Sequence, residues 1–200
     1  MNSTELKLQF PPNEISMLTK CYGPEQDDDA LNADRRILEG EFTRNNLTRN
    51  FTWKTRGRGR SRLSANSDGE IADALKLATG ARTGRAAMAV LLGLNGVQVP
   101  VASAILTAIE PERYAVRPER YTVIDFRALE ALGTTISDPT VNFYLVYLLF
   151  CREVANAHQV ILRDLDRALW QWSRGCTHLP KCSVFYSSTV VPRPPATPFH

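Results

Sequence analysis

Three apolar runs at helical spacing follow one another between Ser67 and Ile109, and nowhere does the chain alternate as a half-buried strand must. Ile71, Ala74, Leu75 and Ala78 mark the first run. Ser67-Asp68-Gly69-Glu70 ahead of them resembles a capping start, and Gly80 ends the run. The second spans about 83–92, with Ala86, Ala87, Val90 and Leu91 on one face. Residues 93–98 break the pattern. The third, about 99–109, carries Pro100 in its first turn, where helical amides lack partners anyway. Its Ala102, Ala104, Ile105, Leu106 and Ala108 are small or apolar, so another helix can approach closely. Residues 30–40, 140–158 and 160–173 read as further helices. The fold class is mainly α.

Composition agrees with a packed domain. The 200 residues are 44% hydrophobic and 22% charged, which is globular and not disordered. A chain this long buries a core without staples. No apolar stretch approaches the ~18 residues of a membrane span. Residues 1–20 lack the apolar core of a secretory signal. Four cysteines, at 21, 151, 176 and 182, are too few for a disulfide scaffold and fit a reducing cytoplasm. Cys176 and Cys182 with His178 between them lack a second matching pair, so no metal is expected. Residues 1–29, broken by Pro11-Pro12 and Gly23-Pro24, read as an irregular entry. Residues 30–174 read as the helical domain, and the Pro- and Ser/Thr-rich 175–200 as a disordered tail.

Charge is informative in its distribution. The net value is only +3, yet Arg44, Arg49, Lys54, Arg56, Arg58, Arg60 and Arg62 stand within nineteen positions that hold no acid. Phe51 and Trp53 lie among them, and Gly57 and Gly59 suggest a loose backbone. Most charge runs are solvated loops. A single-signed run interleaved with aromatics also fits a polyanion, because cations neutralise phosphates and rings stack on bases.

The corner between the second and third helices, Leu94-Asn95-Gly96-Val97-Gln98-Val99, carries the chemistry. A tight glycine turn opening a helix presents backbone amides and the positive end of the helix dipole. The amides of Gly96, Val97, Gln98 and Val99 can therefore hold a phosphate without a basic side chain. An ordinary helix corner is the alternative.

Here the chain resembles the helix-hairpin-helix DNA glycosylases, the endonuclease III-like superfamily. The family motif reads roughly Leu-Pro-Gly-Val-Gly, then an Ala, then after a loop an Asp that opens another helix ahead of a Leu-Gly. This sequence offers Leu94-Asn95-Gly96-Val97-Gln98, Ala102, Val123-Ile124-Asp125-Phe126-Arg127 and Leu132-Gly133. Gly96 and Asp125 are 29 positions apart. A tandem repeat lies between them: 111–117 and 118–124 match at five of seven positions, and setting one unit aside leaves 22, about the family's gap. The specific match covers 67–135, with a hairpin at 83–109, and extends more weakly over 30–173. Three departures stand out. Gln98 replaces the second motif glycine, Pro100 occupies the place of the Schiff-base lysine, and the four-cysteine iron–sulfur loop is missing.

The resemblance implies a monofunctional DNA glycosylase of base excision repair, needing no cofactor and acting as a monomer on double-stranded DNA. Asp125 would stabilise the oxocarbenium-like transition state, in the family's manner also capping its helix. Pro100 has no amine, so a covalent lyase route is not expected. Trp53, Lys54, Arg56, Arg58 and Arg60 are expected to contact nucleic acid, and Ser103 and Arg127 to sit near the base pocket. Arg163, Asp164, Asp166, Arg167 and Trp170 are read mostly as a structural helix with internal ion pairs. The expected location is cytoplasmic, on the nucleoid in a bacterial cell. Two rival readings stand beside this one: a catalytically inactive helix-hairpin-helix DNA-binding protein, and a helical protein-interaction module.

Overall fold

The computed structural model describes residues 6–23, 27–109 and 121–175, and these are helical with no strand among them. A 3-10 turn at Pro12–Glu14 leads into α1 (Ile15–Cys21). Then come α2 (Asp28–Leu38), α3 (Arg44–Thr55), α4 (Arg60–Leu63), α5 (Asp68–Gly80), α6 (Gly84–Leu92), α7 (Val99–Ile109), α8 (Phe126–Glu130), α9 (Val141–Ala157) and α10 (Leu162–Arg174). No single helix among them is long and apolar enough to cross a membrane. The tail from 176 onward and most of the tandem repeat lie outside the described residues.

The capping start at Ser67 forms as its sequence indicates. The Ser67 side chain accepts from the Glu70 amide, and the Glu70 carboxylate accepts from the Ser67 amide. Thr43, Thr83 and Thr140 cap α3, α6 and α9 in the simpler way.

Helix α7 is the hub of one half of the fold. Val101, Ala102, Ser103, Ala104, Ile105 and Leu106 are all buried, and α2, α3, α5 and α6 pack around them. Helix α10 organises the other half, touching α1, α8 and α9, while α6 meets α9. The open space between α3, the α6–α7 corner and α10 is where the site lies.

Two expectations change. The entry segment is not irregular throughout: α1 buries Ile15 and Leu18 against α10, and Phe10 stacks on Trp172 with centroids 6.0 Å apart. Its few apolar residues are too short a run to show a period. The cationic stretch is not a loose loop either. Helix α3 occupies 44–55 because Thr43 caps it and Leu47 and Phe51 drop into the core, leaving Arg49 exposed while the Lys54 side chain is largely buried. The turn after α3 is tight: Arg56, Gly57 and Gly59 all have positive φ, at 53°, 80° and 77°.

Candidate nucleic-acid interface

A cleft of about 1440 Å³ is walled by α3 and the turn after it, by the α6–α7 corner, by the start of α8 and by α10. It is larger than the roughly 300–1000 Å³ typical of small-molecule pockets. Its lining holds seven cations (Lys54, Arg56, Arg58, Arg62, Arg127, Arg163 and Arg167) against two carboxylates, Asp125 and Asp166. The lining thus carries an excess of positive charge although the chain as a whole has only +3, and three of its cations, Lys54, Arg163 and Arg167, are ion-paired to aspartates.

At the corner, Gly96 adopts φ 83°, open to glycine and strained for other residues. A β-carbon there would meet the Leu63 amide nitrogen at 3.0 Å and Arg62 Cβ at 3.1 Å, so α4 packs directly on the turn. Asn66 clasps it from the same side. Its Oδ1 accepts from the Asn95 amide at 2.8 Å, and its Nδ2 donates to the Asn95 carbonyl at 3.1 Å. The Gln98 carbonyl accepts from Ala102 and opens α7. The amides of Gly96, Gln98 and Val99 meet no acceptor among the described residues. Gln98 is exposed, whereas the Val97 and Val99 side chains are buried and anchor the corner.

Asp125 lines the same cleft. Its Oδ1 accepts from the amides of Arg127 at 3.0 Å and Ala128 at 2.9 Å, capping α8. Its Oδ2 accepts from Lys54 Nζ at 2.9 Å. The Asp125 side chain keeps 20% of its surface exposed, and Lys54 keeps 9%. Burial pushes the Asp125 carboxyl upward, but Lys54 and the two amides outweigh it and hold it below the usual carboxylate range. The approach to Asp125 is fixed by three bonds to two successive peptides. Tyr144 Oη donates to the Thr122 carbonyl at 3.1 Å, Tyr147 Oη to the Val123 carbonyl at 2.8 Å, and the Ile124 amide donates to Ser103 Oγ at 3.0 Å. After α8, Gly133 at φ 75° allows Thr134 N–H to reach the Leu129 carbonyl and close the helix.

The sequence-derived residues divide accordingly. Val99 stands outside the cleft lining, and the Val97 amide donates to the Leu94 carbonyl, which closes the turn and leaves it nothing to offer a phosphate. Asp125, Gly96, Val97, Gln98, Trp53, Arg56, Arg58 and Arg127 line one cleft. Lys54 lines it too, but its ammonium is engaged by Asp125 and does not reach outward to a phosphate. An amine therefore stands beside the acid after all, supplied by α3 and not by the hairpin, where Pro100 lines the cleft without one. Arg60 is exposed but outside the lining. Ser103 is fully buried and forms no part of the pocket; its hydroxyl donates to the Pro100 carbonyl and accepts from Ile124, so it positions the loop before Asp125. Arg44 binds Asp68 and the Asn66 carbonyl and is structural.

Helix α10 contributes more than closure. Arg163 and Arg167 line the cleft while converging on the fully buried Asp27 at 2.8 and 3.2 Å, and Tyr22 donates to the same carboxylate at 2.6 Å. Arg163 also pairs with Asp166 at 2.6 Å. Burial pushes the Asp166 carboxyl up to about 6 against the pull of Arg163. The acidic run at 27–29 gave no sign that one of its members reaches α10. Among the described residues, no His, Cys, Asp and Glu side chains group as a metal site.

Comparison with protein-family models, curated proteins and solved structures returns no match.

Proposed function

We propose that this chain is a helix-hairpin-helix DNA glycosylase-like protein that grips one strand of double-stranded DNA and hydrolyses an N-glycosidic bond without a covalent intermediate. The observation that carries the reading is that a partly exposed Asp125 with a lowered carboxyl and the open-amide turn at Gly96 line the same cation-rich cleft. Breaking the bond to the base sends its electron pair to the departing base and leaves oxocarbenium character on the sugar. A carboxylate facing C1′ stabilises that charge, orients the water that adds there and takes up the proton that water releases, which passes on to the departed base. The corner amides and the arginines hold flanking phosphates and fix the sugar in place. The protein would act in the cytoplasm, as a monomer on duplex DNA.

Duplexes carrying uracil, 8-oxoguanine, alkylated or mismatched bases test this. Abasic sites should form with the folded wild-type protein and fall to background with Asp125→Asn. A second reading is favoured by the Lys54–Asp125 ion pair: the acid is already satisfied, and the cleft binds DNA without turnover. Binding whose logarithm falls linearly with log salt, with no abasic sites on any duplex, would select it. Absence of any affinity for DNA would leave a helical protein-interaction module.

A further inference from the structure

Five large apolar side chains are markedly exposed among the described residues: Leu77, Phe126, Val146, Leu149 and Ile161. Phe126 is the most exposed at 67%, and of the five it alone lines the cleft. It follows Asp125 directly, so its place at the cleft mouth is set by the same capping bonds that hold the acid. Its ring belongs to a ladder. The Arg127 guanidinium carbon lies 5.0 Å from the Phe126 centroid and 5.4 Å from that of Trp170, and the Arg174 guanidinium lies 5.1 Å over Trp170. At the inner end Tyr22 meets Trp170 edge-on at 5.2 Å. The Arg127 guanidinium thus lies between the Phe126 and Trp170 rings, and Phe126, the most exposed of these rings, stands open to solvent.

We infer that the Phe126–Arg127–Trp170 ladder is a stacking platform for a nucleobase displaced from the duplex. The occupant follows from the surroundings. An open aromatic face beside a cationic, phosphate-sized surface suits a ligand that is flat and apolar at one part and anionic at the next, as a nucleotide is. Arg56 and Arg58 in the same lining offer cations to its phosphate. The inference rests on the DNA-binding reading above and does not require turnover.

The test compares two probes by fluorescence anisotropy at several salt concentrations: a fully paired duplex and the same duplex with one unpaired adenine. Wild type should prefer the unpaired adenine by about 5-fold or more, the range expected for one base on an aromatic face. Phe126→Tyr should keep that ratio. Phe126→Ala and Phe126→Leu should bring it toward one, and thermal melting should confirm that both fold. Equal affinity of wild type for the two probes, or a ratio that survives in Phe126→Ala, overturns the platform. A ratio kept by Phe126→Leu overturns stacking in favour of plain apolar contact. If wild type binds neither probe, the DNA-binding reading itself fails, a result already visible with the paired duplex alone.

Discussion

Lys54 Nζ lies 2.9 Å from Asp125 Oδ2, joining α3 to the residue that opens α8. Both groups are largely withdrawn from water, so removing one strands the other. Lys54→Met should lower the unfolding free energy by about 1–3 kcal/mol, less than a fully enclosed pair because Asp125 retains some solvent contact. A double-mutant cycle with Asp125→Asn, read by urea unfolding, should return a coupling of at least about 1 kcal/mol. The pH dependence has a definite sign. The Asp125 carboxyl is held low when folded, so its contribution is present above its unfolded value near ~3.9 and is lost as pH falls through the folded one. Lys54→Met should blunt that acid-side loss.

The same pairing bears on reaction type. With Lys54 committed to Asp125, hydrolysis without a covalent intermediate should leave no borohydride-trapped adduct on a duplex containing an abasic site. An adduct that disappears in Lys54→Arg would instead make the α3 amine a nucleophile.

Asp166 should behave in the opposite sense to Asp125. Its folded carboxyl titrates near about 6, above an unfolded value of ~3.9, so its contribution is fully present below about pH 4 and is lost as pH rises through about 6. The loss amounts to up to about 3 kcal/mol. Urea unfolding of wild type and Asp166→Asn between pH 4 and 8 should give a flatter profile for the variant.

Arg56 occupies the left-handed region at φ 53°, where a side chain is strained. Arg56→Gly should leave stability unchanged or raise it by up to about 1 kcal/mol. It should also weaken DNA binding and reduce the log–log salt slope by about 0.9 if one phosphate contact is lost. Arg60→Ala, outside the cleft lining, should change the slope less.

Asn66 is 4% exposed and its amide group closes on both backbone atoms of Asn95. Asn66→Ala orphans the Asn95 amide and should cost about 1–3 kcal/mol by urea unfolding. DNA affinity should fall with it, since the corner loses its clasp.

Much of the helical frame was legible because its signals are local. Ser67 with Glu70, Thr83 and Thr140 sit where caps must sit, and the apolar periods of α5, α6, α7, α9 and α10 are long enough to read. Helix α3 was hidden because its basic outer face dominates the composition, while Leu47 and Phe51 are too few to announce a buried side. The Gly96 turn was legible from its glycine between two apolar periods, while Asp125 was picked out by the resemblance and in the structure caps α8. Their partners were not: Lys54 is 71 positions from Asp125, Asn66 is 29 from Asn95, and Asp27 is 136 from Arg163. Side-chain pairs so far apart leave no local period, and only the packed fold brings them together. Ser103 was misplaced for the same reason, since a small polar residue on an apolar helix gives no hint of which distant amide it will accept.

Ser103, Tyr144 and Tyr147 moor two successive peptides just ahead of Asp125, Ser103 and Tyr147 taking the two ends of the same one. Whatever the chain does between Ile109 and Tyr121, its return is docked at the same berth. Excising 111–117 should therefore spare the orientation of the acid.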